Sequence, residues 1–347
     1  MGDAPIVHGG NLREAARRHG IAYDSWLDLS TGINPRGYPV PPVPAAAWRR
    51  LPDDDDALAT AAARYYGAPD AAHVLPVAGS QAAIRALPAL LPLGTAGVAP
   101  LAYGEYGPAF ARHGHAVEAF SCAHDTLPAA LTHLIVGNPN NPTTEHVAPA
   151  RLLRWHAQLH ARGGALIVDE AFADADDADS LAAEVGRAGL IVLRSVGKFF
   201  GLAGIRAGFA LAAPGLLRDL RDRLGAWTVS GPAGHAVAAA FADTDWQRAT
   251  RARLAVDGAR LAAGLRAQGF ATQATPLFSW TDDPRAAALH EALARRGVWT
   301  RYFAHAPSLR IGLPDDEAAW RRFEQALAEA VATLGDPTAA TAAPAPL

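Results

Sequence analysis

The chain has 347 residues, half of them apolar, which suits one large or two joined domains with a sizeable core and excludes a disordered chain. Its 31 basic and 34 acidic side chains leave a net charge of −3, which offers no footprint for nucleic acid. A single cysteine, Cys122, excludes an intrachain disulfide and fits a reducing cytoplasm, and no apolar stretch is long enough to span a bilayer.

The opening "MGDAPIVHGG" lacks a charged region followed by an apolar run, so no signal peptide is expected. Residues 1–45, with the Pro- and Gly-rich "STGINPRGYPVPPVP" (30–44), read as an ordered arm that is part of the small domain or a cover of the active site, and not a core element. Asp53–Asp56 read as a solvated helix start that complements the helix dipole. From 46 to 250 short apolar runs alternate with helical patterns. "HVLPVAG" (73–79), "HLIVG" (133–137), "ALIVD" (165–169), "GLIVLRS" (189–195) and "AGFALA" (207–212) read as buried strands, and 148–164 as a helix. That alternation predicts an α/β unit with a mostly parallel sheet. Residues 251–335 change character. Helices are expected over 245–269, 283–297 and 315–335, with "VWTRYF" and "SLRIGL" as strands of a small α+β domain. The Ala/Pro/Thr-rich residues 336–347 read as a disordered tail.

Every basic side chain but one is arginine; the exception is Lys198, in "RSVGKFFGLAGIRAG". On a solvated surface the two cations interchange. In covalent chemistry they do not, because a guanidinium stays protonated while a buried primary amine can become neutral and condense with an aldehyde. Lys198 lies among Val196, Phe199, Phe200 and Leu202, an apolar setting that favours the chemical role over a chance survivor of arginine-biased codons.

An aldehyde-binding lysine suggests pyridoxal 5'-phosphate, which needs an anion site, a carboxylate for its ring nitrogen and a donor for its ring hydroxyl. Gly79, Ser80 and Gln81, between a strand and a helix, offer free N–H groups to a phosphate. Arg206 could add a bidentate contact. Ser195 could join them from one turn before the lysine, or simply stabilise a turn. Asp169 ends an apolar strand, where ligands of open α/β sheets bind, while Glu170 points the other way and reads as structural. Asn141, before Pro142, is the candidate hydroxyl donor; Asn138 and Asn140 read equally as turn residues. Tyr106, in "LAYGEYGPAF", is either a stacking group for the ring or packing.

In this chain order, "HGGNLREAARRHG", "LDLSTGINPRG", "VGNPNNPT", "VDEAF" and "SVGKFFGLAGIRAGF" resemble the fold-type-I pyridoxal-phosphate enzymes of the class I/II aminotransferase family. The resemblance runs from His8 to about residue 330. It implies a large domain with a mostly parallel seven-stranded sheet, a smaller α+β domain and a homodimer. It further implies that Lys198 takes the cofactor aldehyde, Asp169 pairs with the ring nitrogen, Asn141 bonds the ring oxygen and Tyr106 stacks on the ring. Gly79, Ser80, Gln81, Ser195 and Arg206 would hold the cofactor phosphate, and Arg310 the substrate carboxylate. Candidates for a substrate phosphate are Arg301, His8 and the backbone of Ser30–Asn34, including Gly32 and Asn34; His8 is as readily an exposed arm residue. No metal is expected.

Two positions depart from the aminotransferases of that family. They usually carry tyrosine three residues after the aspartate, where this chain has Phe172, as a decarboxylase branch does. Many have a tyrosine reaching the neighbouring subunit's cofactor where this chain has Leu51. The likeness to that branch implies decarboxylation of L-threonine O-3-phosphate in cobalamin biosynthesis. The alternative is amino transfer of the histidinol-phosphate type.

Overall fold

A computed structural model describes residues 9–52, 57–176 and 179–334. The readings of His8, of Asp53–Asp56 and of the 336–347 tail lie outside those residues. The chain divides into two compact units, one joining the residues up to Arg36 to those from Arg253 onward, the other spanning Gly37–Ala252.

The larger unit is built on seven strands: β1 (Val74–Val77), β2 (Thr95–Val98), β3 (Ala116–Ala119), β4 (Leu131–Gly137), β5 (Ala165–Asp169), β6 (Leu190–Ser195) and β7 (Gly208–Ala212). Their order across the sheet is β1-β7-β6-β5-β4-β2-β3. β2 to β6 run parallel, and β7 runs antiparallel to both β6 and β1. The central strands are dense in Leu, Ile and Val because helices cover both faces, so no position faces water. On one face Ile135, Ile167, Ile191 and Leu193 pack with Ile84, Leu87, Phe110, Leu217 and Leu220. On the other, helix Pro149–Ala161 packs against β4 and β5 through Leu152, Trp155 and Leu159. Each fully buried Leu or Ile side chain contributes ~1.5–3 kcal/mol over leaving it exposed. Proline opens helices Pro149–Ala161 and Pro214–Leu224, where its missing N–H costs nothing.

The parallel register sets Gly137 beside Asp169 and Asp169 beside Leu193, so β4, β5 and β6 finish at one edge. Residues 196–200 form turns rather than a helix, which leaves Ser195 as the last residue of β6.

The other unit carries an antiparallel sheet of Arg301–Phe303, Ser308–Gly312, Phe278–Asp282 and Thr272–Thr275, in that order, with helices Ala286–Ala294 and Glu317–Leu334. Leu27–Asp28 pairs in parallel with Val298–Trp299. The N-terminal stretch is packed into this unit. Leu29, Ser30 and Asn34 are buried, because the Leu29 N–H donates to Trp299 O and Leu29 O accepts from the Gly312 N–H. Helix Thr244–Ala267 starts at Asp243, whose Oδ1 accepts from the Trp246 N–H at 3.0 Å.

Candidate active site

The ends of β4, β5 and β6 open onto a cavity in the larger unit. Gly79, Ser80, Gln81, Tyr106, Asn141, Asp169, Ser195, Lys198 and Arg206 all line it. Nine residues spread over 128 positions are thus brought to one place by parallel strands finishing together.

Lys198 lies in the turn after β6. Its neighbours Val196, Phe199 and Phe200 are fully buried and anchor the turn, while the lysine itself is only half-buried. Its Nζ sits 5.3 Å from the centre of the Phe172 ring. The loop after β4 is tied down by its other asparagines. Asn138 exchanges two hydrogen bonds with the Val147 backbone, and Asn140 Nδ2 donates to Leu101 O and Thr143 Oγ1. They are scaffold, and Asn141 alone of the three faces the cavity.

Asp169 is buried, with Oδ2 accepting from the Tyr106 hydroxyl at 2.7 Å and Oδ1 from the Ala171 N–H at 3.1 Å. Burial pushes its carboxyl above the usual carboxylate range; the bonds from Tyr106 and Ala171 and the charge of Lys198 oppose that rise. Tyr106 is therefore committed to the acid through its hydroxyl. The residue that sequence reasoning missed is Tyr103, three positions earlier in the same loop. It lines the cavity, donates its hydroxyl to Gln81 Oε1 at 3.0 Å, and meets Tyr106 edge to face at 5.6 Å. Burial pushes the Tyr103 phenol up to about 12. Two tyrosines three residues apart were the available signal. Tyr103 lies in the loop, and Tyr106 opens helix Tyr106–Ala111.

At the opposite end, Ser80 and Gln81 open helix Ser80–Ala86. Gly79 has φ +75°, and a Cβ there would lie 2.7 Å from Arg206 Nη2. Only glycine lets the guanidinium close over this turn. Arg206 itself has φ 53°, a left-handed backbone that costs a non-glycine residue about 1–2 kcal/mol. Strain of that kind concentrates at binding sites.

The charged groups lining the cavity are Lys198, Arg206 and Asp169, two cations to one carboxylate, which suits an anion. The amine, the buried acid, the serine hydroxyls of Ser80 and Ser195 and the arginine over a glycine turn fit pyridoxal 5'-phosphate.

Gly32, Asn34, Arg301 and Arg310 belong to the other unit. Arg301 and Arg310 are directly paired on adjacent antiparallel strands. Arg310 is buried, and its Nη2 donates to Ser30 O at 2.5 Å. Burial first, and then the charge of Arg301, push its guanidinium down to about 10, so an anion beside it would be strongly favoured. Asn34 Oδ1 accepts from Arg253 Nη2 at 2.9 Å and the Arg36 N–H at 3.1 Å, which directs its Nδ2 elsewhere as a donor.

Residues 48–322 match the aminotransferase class I and II family. The chain is 51% identical to a threonine-phosphate decarboxylase of Pseudomonas aeruginosa, over 93% of this chain and 97% of that one. It is 44% identical to a threonine-phosphate decarboxylase of a Sinorhizobium species, over 94% and 98%. Its fold matches the crystal structure of a histidinol-phosphate aminotransferase from Sinorhizobium meliloti in complex with pyridoxal-5'-phosphate, with a TM-score of 0.79, 20% identity and 96% of each chain covered. This chain belongs to the aminotransferase class I and II family.

Proposed function

We propose that the protein is a pyridoxal-phosphate-dependent decarboxylase that converts L-threonine O-3-phosphate to (R)-1-aminopropan-2-yl phosphate in cobalamin biosynthesis. The observation that carries this reading is the 51% identity, over almost both whole chains, to a threonine-phosphate decarboxylase. The cavity supports it at one further point. In the aminotransferases this chain resembles, a tyrosine usually stands where Phe172 does, and here the ring beside Lys198 bears no hydroxyl.

When bound, pyridoxal 5'-phosphate supplies an electron sink for the pair released as a bond at the substrate Cα breaks. Lys198 would hold its aldehyde carbon, Asp169 its ring nitrogen, Asn141 its ring oxygen, and Ser80, Ser195 and Arg206 its phosphate. Tyr103, half-buried at the cavity, is a better candidate than the buried Tyr106 to cover the ring. Asp169 in its ionised form keeps a proton on the ring nitrogen. Lys198 Nζ, displaced from the aldehyde carbon by the substrate's own amine, would hold at Nζ the proton that Cα takes up in place of the departing carbon dioxide. Selecting the carboxylate bond over the C–H bond is a matter of substrate rotation, hence of anchoring. Arg310 and Arg301, two guanidiniums on paired strands, support a substrate with two anionic ends.

The active protein is proposed to be a cytoplasmic homodimer. Among the described residues no helix is long and apolar enough to cross a membrane. The test is to supply L-threonine O-3-phosphate to the purified protein loaded with pyridoxal 5'-phosphate. Carbon dioxide should appear without any 2-oxoacid, and borohydride reduction should label Lys198. Transfer of the amino group to 2-oxoglutarate instead would overturn the decarboxylase reading in favour of the aminotransferase.

A further inference from the structure

One buried charged cluster in the larger unit takes no part in the chemistry above. Arg194 is the penultimate residue of β6, and Glu170 directly follows β5; neither lines the cavity. Arg194 Nη1 donates to Glu170 Oε2 at 2.5 Å, and Nη2 donates to Asp174 Oδ1. All three side chains are 3% exposed or less. Ser180 Oγ also donates to Glu170 Oε2, at 2.6 Å, and the Leu181 N–H donates to Oε1 at 2.8 Å. The Arg194 guanidinium lies 4.4 Å above the Tyr66 ring, and Arg251 Nε donates to Asp174 O at 2.9 Å.

Stability alone is a poor reason for such a cluster. Desolvating three charges costs much of what their attraction returns, and well-packed apolar side chains commonly do as well. What the cluster has that an apolar patch lacks is direction. The regular pairing of β5 with β6 ends at Asp169 and Leu193, followed by one more bond from the Glu170 N–H to Leu193 O. Beyond that point the two strand ends are cross-linked by Arg194 and Glu170. Each partner is one residue from a cavity-lining group: Glu170 from Asp169, and Arg194 from Ser195. Asp174 lies two residues after Phe172, whose ring faces Lys198.

We propose that Arg194 is a positioning residue, which clamps the ends of β5 and β6 through Glu170 and Asp174 and so holds Asp169 and Ser195 in place for the cofactor without touching it. The inference rests on the pyridoxal-phosphate reading. It separates the roles of neighbouring carboxylates: Asp169 serves the ligand, while Glu170 and Asp174 serve Arg194. Lysine cannot replace the arginine here, because one ammonium lacks the planar fork that engages two carboxylates at once.

The experiment is a titration of apoprotein with pyridoxal 5'-phosphate, read by visible absorbance, beside a thermal melt of each apoprotein. Arg194→Lys should bind about tenfold more weakly, the loss typical when a partner behind a ligand-binding group is removed, and with a shifted absorption maximum. Arg194→Met should bind more weakly still. Ser180→Ala, which loosens Glu170 while leaving the ion pair, should fold and show a smaller loss in the same direction, so it decides the matter if the Arg194 variants do not fold. Leu159→Ala, on the buried face of helix Pro149–Ala161, should lower the melting temperature while keeping affinity and spectrum. The proposal is overturned if Arg194→Lys and Ser180→Ala bind within twofold of wild type with unchanged spectra. It is equally overturned if Leu159→Ala loses affinity in step with its stability. A wild-type protein that binds no pyridoxal 5'-phosphate sinks the cofactor reading and the clamp together, whereas normal wild-type and variant binding sinks the clamp alone.

Discussion

The hydroxyl of Tyr106 opposes burial in setting the charge state of Asp169. Burial raises the acid's pKa, and the bond from Tyr106 to Oδ2, made to the ionised form, lowers it. Tyr106→Phe removes that bond and leaves a buried oxygen without it, at a cost of about 1–3 kcal/mol in stability at neutral pH. The sign follows from the bond's preference. Its contribution is present while Asp169 is ionised and is lost as pH falls through the folded-state pKa, so the stability gap between variant and wild type should narrow in acid. Activity should show the complement: the acid limb of kcat/KM against pH should move to higher pH in Tyr106→Phe. Denaturant melts at neutral and acidic pH, with a pH–rate profile, check both; an acid limb that stays put would mean that Tyr106 does not tune Asp169. At this scale the sequence points to Lys198, Asp169 and Arg206, which all line the cavity, because each charge sits at a strand end or in the glycine-rich turn that follows one. It cannot separate Tyr103 from Tyr106. Both line the cavity, Tyr103 from the loop and Tyr106 from the first position of helix Tyr106–Ala111.

The same divide runs through the elements. β1, β4, β5, β6 and β7 are legible because they are largely buried on both faces and so carry runs rich in apolar residues. β2, "TAGV", is short and interrupted by Gly97, and β3, "AVEA", is exposed at all four positions on the sheet edge, so neither carries a strand signature. The antiparallel direction of β7 is also hidden, since a fully buried strand reads alike in either sense. That direction matters. It pairs Gly208 with Ser195 and with Val77, at the cavity end of the sheet. A Cβ on Gly208 would lie 2.6 Å from Ser80 N and 2.8 Å from Arg194 O, both backbone atoms. Gly208→Ala should therefore push the Ser80 turn away from β7, at about 1–3 kcal/mol, the usual cost of overpacking. Because that turn is the proposed phosphate cradle, affinity for pyridoxal 5'-phosphate should fall along with the melting temperature. A variant that melts lower but binds normally would show that the turn and the phosphate are uncoupled.

For the whole molecule, a linear reading does not show which contacts join residues 9–36 to the C-terminal part, since they are long in sequence: Gly312 with Leu29, and Trp299 with Leu29. Nor does it show which surface another subunit would cover. Among the large apolar side chains exposed on the larger unit are Trp48 at 69%, Leu51 at 63% and Trp227 at 55%. Helix Ala45–Arg49 packs against helix Gly231–Ala242, closely enough that a Cβ on Gly231 would lie 2.5 Å from Ala47 O. Trp227 lies in the loop leading into that second helix, and it lines a cavity of about 820 Å³ together with Pro52, Leu58 and Val229. Exposed apolar surface gathered in this way marks an interface more often than free surface. If the proposed homodimer uses this face, a two-fold axis presents each residue twice. Trp48→Glu combined with Trp227→Glu then buries four new carboxylates rather than two, and the pair should dissociate while each chain keeps its fold, because both side chains lie outside the core. Sedimentation should show a two-chain particle for the wild type and a 36.2 kDa chain for the double variant. A double variant that still sediments as the wild-type dimer would move the interface elsewhere, and a wild type that is itself monomeric would remove the reason for three exposed apolar side chains on one face.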